Sequence, residues 1–171
     1  AAAFDALQQV FHERLRDGRV RECHGDLHLG NVTLVDGRTT LFDCLEFSPA
    51  LRWIDVISEV AFLAMDLEVH GHRDLSYVFL NAYLEHCGDY GGVAVLPFYL
   101  VYRAVIRAKI NLIRACQHDA TRKQVEQARE AYHRYIAFAV SYAGARRGAL
   151  AITHGLSGSG KTTLTQLIIP E

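Results

Sequence analysis

The run His24-Gly25-Asp26-Leu27-His28-Leu29-Gly30-Asn31 puts an aspartate and an asparagine on one short segment, and Leu41-Phe42-Asp43 follows with a second aspartate. Oxygen donors in this order suit phosphoryl transfer. Asp26 can accept or orient the proton of an acceptor hydroxyl, while Asn31 and Asp43 can hold Mg²⁺, which prefers oxygen ligands and often uses only one or two protein carboxylates. His24 joins Asp26 as a candidate catalytic residue, although an imidazole at position 24 is expected mainly to hold the loop by hydrogen bonding. Two plainer readings compete. Asp and Asn beside Gly25 and Gly30 also suit turns. His24, Asp26 and His28 could start a transition-metal site, but the other histidines do not supply the clusters that such a site needs.

A second nucleotide signature is Gly155-Leu156-Ser157-Gly158-Ser159-Gly160-Lys161-Thr162-Thr163. It satisfies Gly-x-x-x-x-Gly-Lys-Ser/Thr. Glycines let backbone N–H groups approach phosphate oxygens, the lysine neutralises charge and the Thr162 hydroxyl joins Mg²⁺. Gly155, Ser157, Gly158, Ser159, Gly160, Lys161, Thr162 and Thr163 are therefore candidate ATP-binding residues. A plain flexible loop would not require lysine followed by threonine where a helix starts.

The elements that must position these groups follow from periodicity. Phe4, Leu7, Val10, Phe11 and Leu15 are spaced for an amphipathic helix over 4–16. Residues 31–35 alternate as a strand, Asp36-Gly37 is a two-residue hairpin signal, and 39–43 returns as the partner, with Asn31 and Asp43 at the two ends of the hairpin. The stretch 54–67 is apolar on nearly every side and is predicted to be a central, buried helix with Asp55 at its start. Further helices are predicted over 74–86, over 97–117 with Pro97 in the first turn, and over 121–143, closing at Gly144. A strand over 149–153 and a helix over 162–168 would flank the second motif. Arg103, Arg107 and Arg114 share one face of the 97–117 helix, either as a solvated row or facing an anionic ligand or an absent domain. Lys109 lies on the opposite side.

His24 to Asn31, Phe42-Asp43 and Arg52-Trp53-Ile54-Asp55 together resemble the C-terminal lobe of the aminoglycoside phosphotransferase and choline kinase-like small-molecule kinases, which share the protein-kinase-like fold. With the arginine-bearing helix and the P-loop, nearly the whole chain resembles bacterial bifunctional aminoglycoside phosphotransferase and ATP-binding proteins. The resemblance implies that Asp26 is the catalytic aspartate, that Asn31 and Asp43 bind Mg²⁺, and that Asp55 braces the catalytic loop from the start of the buried helix. A cap on that helix is the ordinary role of such a carboxylate. Glu46 lies near an acidic position of related kinases without a secure register. A kinase-like fold also needs an N-terminal lobe with a phosphate-covering loop and a lysine. Lys109, Lys123 and Lys161 all follow the catalytic loop, so the chain is expected to be an internal piece of a longer protein. Its missing partners would be the N-lobe and the remainder of the P-loop domain, and the segment alone would be inactive.

At 171 residues and 50% hydrophobic composition the chain can bury one core of ordinary size. Asp55, Glu59, Asp66 and Glu68 interrupt its most apolar stretch, so no membrane association is expected and a cytoplasmic location is the default. Cys23, Cys44, Cys87 and Cys116 contain no Cys-x-x-Cys pair and are expected to be reduced, mostly buried thiols. A net charge of -1 gives no general pull toward nucleic acid. From His24 to Leu100 there are eleven acids against three bases, and from Val101 to Arg147 three against ten, so metal-binding acids and basic helices occupy different segments. Together with the resemblance, these features predict a mainly helical α+β protein: a kinase-like C-lobe with a small β-hairpin over 1–147, followed over 148–171 by the first strand, loop and helix of an α/β P-loop domain. Its predicted activity is ATP-dependent phosphorylation of a small-molecule hydroxyl. The alternative is an ATP-binding or regulatory module whose kinase-like lobe is idle and whose P-loop domain does the chemistry.

Overall fold

A computed structural model of the chain describes residues 2–143 and 153–169. The described residues form a mainly helical α+β structure. Helix α1 (Ala2–Arg16) is followed by β1 (Val20–Glu22), and a 3₁₀ turn (Leu29–Asn31) leads into the hairpin of β2 (Val32–Val35) and β3 (Arg38–Leu41). Then come α2 (Pro49–Arg52), β4 (Trp53–Asp55), α3 (Val56–Val69) and α4 (Arg73–Cys87). A second 3₁₀ turn (Tyr90–Ala94) precedes α5 (Leu96–Ala115), α6 (Arg122–Ala143) and α7 (Lys161–Ile168). The expected strand over 149–152, the closing Gly144 and the domain boundary at 147/148 lie outside the described residues, and Thr153 is not in a strand.

The all-round apolar helix is the centre of the fold. Along α3, ten residues are buried, and it packs against α4, α5 and α6. Small side chains make this close approach possible: Ala61 and Ala64 on α3, Ala104 and Ala108 on α5 and Ala139 on α6 share a core with Phe62, Met65, Leu100 and Tyr135. Interiors packed at such density tolerate little change in volume. Gly88 ends α4 in the left-handed conformation (φ 63°) that favours glycine at a helix C-terminus.

The hairpin forms where Asp36-Gly37 indicates. Both residues have positive φ (50° and 74°), the conformation of a type I′ turn, and β2 pairs antiparallel with β3 from Val32↔Leu41 to Val35↔Arg38. The returning strand is shorter than the predicted 39–43, stopping at Leu41. Asp43 lies beyond it, itself in the left-handed region (φ 60°), which aspartate tolerates better than most residues.

The buried helix begins at Val56 and not at Ile54. Trp53, Ile54 and Asp55 are drawn into an antiparallel pair with Glu22, Arg21 and Val20, a tertiary pairing that three-residue strands do not announce locally. Where β4 meets α3, Asp55 caps the helix by accepting from Ile57 N at 2.9 Å. The cysteines also depart from expectation: Cys23 and Cys44 are half-buried, and Cys87 and Cys116 are exposed.

A buried ion cluster ties α1 to this frame. Arg14 donates through Nε and Nη2 to both oxygens of Asp55 at 2.7 Å, and through Nη1 and Nη2 to both oxygens of Asp89 at 2.9 Å. Tyr83 donates a further bond to Asp89 at 2.9 Å, and Arg19 lies 3.6 Å from it. Burial pushes the Asp89 carboxyl up, but the bonds from Arg14 and Tyr83 outweigh it and hold the group below its ordinary range. Its ionised form is therefore favoured by folding. That stabilisation is full above the unfolded pKa and is lost as pH falls through the lower, folded one. Arg14→Ala should destabilise the fold by about 3–5 kcal/mol in urea unfolding, because two buried carboxylates lose their cation. In Asp89→Asn, loss of stability on acidification below about pH 4 should be shallower than in the parent protein.

Candidate functional site

Most of the segment from His24 to Asn31 has no regular secondary structure, so its backbone polar groups must find partners elsewhere. Helix α3 supplies two of them. Glu59 accepts from Gly25 N at 3.1 and 3.2 Å, and Asp66 accepts from Leu29 N at 2.9 Å. Being two turns apart, the two carboxylates lie on one face of α3, about 10 Å from each other along its axis. Helix α5 supplies the third. Arg103 donates from Nη1 to Gly25 O at 3.2 Å and from Nε to Ser58 O and Oγ, both at 3.1 Å, with its guanidinium 4.7 Å from the Phe62 ring centroid. The Gly25 peptide groups are thus held at both ends, N–H by Glu59 and C=O by Arg103.

Burial raises the Glu59 carboxyl above its ordinary value, opposed by the charge of Arg103 and by the Gly25 N–H bond. Tyr135 donates to the other oxygen of Asp66 at 2.5 Å, and burial together with that carboxylate pushes the phenol up to about 12. The loop is therefore hung from a charged network inside an otherwise apolar bundle.

Within the loop, Asn31 donates through Nδ2 to Asp26 O at 3.0 Å and to Asp26 Oδ2 at 3.4 Å. Its amide nitrogen is committed to the aspartate, so its carbonyl oxygen is the end with metal-binding chemistry. His28 Nδ1 accepts from Gly30 N at 3.0 Å, which in a neutral imidazole puts the proton on Nε2, 3.5 Å from Asp26 Oδ2. The hydrogen bond from His28 lowers the Asp26 carboxyl below its ordinary value; burial opposes this, and the charges of Arg107 and Arg103 add to it. Asp26 is ionised at neutral pH, as a proton-accepting or cation-binding carboxylate must be.

The far side of the hairpin is zipped to the same loop. Phe42 N donates to Asn31 O at 3.1 Å, His24 Nε2 lies 2.8 Å from Phe42 O, and Leu45 N donates to His24 O at 3.0 Å. Asp43 thereby follows directly on a residue bonded to both His24 and Asn31. A cleft of about 800 Å³ runs along this seam and is lined by His24, Asp26, Asp43 and Glu46 among others. Asp26 and Asp43 both line this cleft, and Asn31 is tied to Asp26 and, through its backbone carbonyl, to Phe42. Among the described residues no group of three or more His, Cys, Asp or Glu is arranged to hold a metal ion, so His24, Asp26 and His28 do not assemble the transition-metal alternative.

Several expected roles change. Asp55 does not brace the loop: its hydrogen bonds go to Arg14 and to the start of α3, and Glu59, one turn on, meets the loop instead. The three arginines of the row have different surroundings. Arg103 is the buried loop anchor, Arg107 is half-buried 5.7 Å from the Tyr135 ring centroid, and Arg114 is exposed. Glu59, Asp66 and Arg103 were the residues that motif reading passed over. The available signal was Glu59 and Asp66 seven apart, on one face of a helix that is apolar over most of its surface.

In the second motif, Gly158 and Gly160 have positive φ (79° and 80°), and Gly160 precedes the first residue of α7. Lys161 Nζ folds back to donate to Gly155 O at 2.9 Å, Leu156 O at 2.6 Å and Ser159 Oγ at 3.3 Å. Ser157, Thr162 and Thr163 are exposed around the helix start. Among the described residues no helix is long and apolar enough to cross a membrane.

No family model and no solved structure matches the chain. It is 38% identical over 157 residues to uncharacterized proteins of Mycobacterium bovis and Mycobacterium tuberculosis, an overlap of 92% of this chain. The chain spans 30% of the length of these relatives.

The Gly25 peptides can be tested directly. Gly25 has φ 85°, and a Cβ there would stand 2.9 Å from Leu51 O, a backbone atom that cannot swing aside. Gly25→Ala should therefore cost more than about 1 kcal/mol in urea unfolding. Arg103→Met removes a buried cation from two carbonyls and should cost about 3 kcal/mol or more. In the Glu59→Gln/Arg103→Met double variant the losses should fall short of additivity by about 1 kcal/mol, because both residues act on one network.

Proposed function

We propose that this chain carries the catalytic and metal-binding part of an ATP-dependent phosphotransferase acting on a small-molecule hydroxyl, in the manner of the C-terminal lobe of aminoglycoside phosphotransferase and choline kinase-like enzymes. One observation carries the reading. Asp26 and Asn31 are hydrogen-bonded to each other on a loop whose next partner, through Phe42, is the residue before Asp43. Asp26 would accept or orient the proton of the attacking hydroxyl, and the Asn31 carbonyl and the Asp43 carboxylate would hold Mg²⁺. The bound ion would neutralise charge on the ATP phosphates. His24 acts through the loop, since its ring contact is a backbone carbonyl at the exit of β3. Asp55 acts through the fold and touches none of these groups in the hydrogen bonds described above.

A second reading has its own support. The left-handed glycines and the folded-back Lys161 at the start of α7 suit a P-loop, in which backbone N–H groups and the lysine would cradle phosphates. Residues 148–171 would then open an ATP-binding domain, with the kinase-like lobe idle or regulatory. The two readings separate by substitution in the complete gene product. Loss of ATP turnover in Asp26→Ala, by about 10²-fold or more, with activity kept in Lys161→Ala supports the first. The opposite pattern assigns the turnover to the P-loop.

A further inference from the structure

The apolar side of Asp26 suggests what the acceptor is. A cavity of about 730 Å³ opens between α1, α5 and the loop, and its lining includes Gly25 and Asp26. The volume is within the usual range for small-molecule sites, roughly 300–1,000 Å³. Asp26 and Leu45 line both this cavity and the cleft that holds His24 and Asp43. The ionised carboxylate thus stands at the boundary between two concavities, one that also holds His24, Asp43 and Glu46 and one walled by rings.

The cavity wall is aromatic. Phe11 and Phe98 meet edge to face at 5.2 Å, and Phe98 stacks with Tyr102 at 6.3 Å with ring planes 5° apart. Trp53 and Phe62 contribute further ring surface. Most of its charged groups are already committed. Asp55 is paired with Arg14, and Arg103 is spent on Gly25, Ser58 and the face of Phe62. The cavity's remaining carboxylate is Asp26. A polycation would find one acid there, with Arg103 beside it, and would forfeit hydration against ring faces.

We infer that the acceptor is an uncharged alcohol on an aromatic or aliphatic body, seated in this cavity with its hydroxyl at Asp26. The inference rests on the phosphotransferase reading and adds the substrate class. The acceptor oxygen forms a bond to the γ-phosphorus of ATP, and the bond from that phosphorus to the β,γ-bridging oxygen breaks. ADP leaves with the electron pair. The hydroxyl proton passes to Asp26 and then to solvent, giving a phosphate monoester.

The test uses the complete gene product with 2-(2-naphthyl)ethanol as probe and kanamycin as the polycationic comparison. Binding is followed by naphthyl fluorescence and calorimetry, and transfer by ADP release with ATP and Mg²⁺. The aryl alcohol should bind and be phosphorylated, kanamycin should do neither, and Tyr102→Ala should weaken aryl-alcohol binding about tenfold. Tyr102 is exposed enough that its truncation leaves the core intact, and Asp26→Asn should retain binding while losing transfer. Phosphorylation of kanamycin in preference to the aryl alcohol, with dependence on Asp26, overturns the acceptor class and leaves the phosphotransferase reading standing. Tyr102-dependent binding with no transfer overturns the phosphotransferase reading, and with it the acceptor role, while leaving the cavity as an apolar binding site. Failure of the aryl alcohol to bind overturns the inference outright.

Discussion

A loop without regular secondary structure must find partners for its peptide groups elsewhere, and in this protein buried side chains that meet this constraint organise the interior. Glu59 and Asp66 take the N–H groups of Gly25 and Leu29, and Arg103 takes the carbonyl of Gly25. A buried carboxylate costs several kcal/mol of desolvation, so it persists only where hydrogen bonds and opposite charge repay it. Helix α3 carries two such groups because the loop needs two fixed points. Its apolar surroundings make each bond strong and each loss expensive.

The same logic explains how α1 joins the structure. Arg14 is enclosed by Asp55 and Asp89, and Asp55 also caps the helix that supports the loop. One carboxylate therefore links the orientation of α1 to the start of α3. Helix α1 in turn brings Phe11 against Phe98 and Tyr99, forming one wall of the cavity beside Asp26. The pairing of β1 with β4 completes the frame by fixing the strand that enters the loop against the residues that precede α3. The loop itself is held directly by α3 and α5, and the ion cluster and the β1–β4 pair hold the elements around it.

Asp26 occupies the seam of two environments. On one side it shares a cleft with His24 and Asp43, and on the other it borders an aromatic cavity. A carboxylate in this place stays ionised because His28 donates to it and two arginines lie within electrostatic reach.

Much of this protein is legible along the chain. The helices over 4–16, 74–86, 97–117 and 121–143 were expected to within a few residues, because apolar periodicity and Gly or Pro punctuation are local signals. The Asp36-Gly37 turn was readable for the same reason, since it depends on the φ preferences of two adjacent residues. The residue types at Asp26, Asn31 and Asp43 likewise pointed to oxygen-donor chemistry before any coordinates. Other features depend on partners far away in sequence. The pairing of Val20–Glu22 with Trp53–Asp55 shortened a predicted helix, and Asp55, which caps α3 as its place at a helix start indicated, took Arg14 as its ion partner. Arg103 reads as one of three similar arginines until α5 is packed on α3. Local sequence thus determines which backbone conformations and donor groups are available, because those are properties of neighbouring residues. Only tertiary packing decides which charges are buried, what each one holds and which cavity Asp26 faces, because desolvation and hydrogen-bond partners arise when distant segments meet.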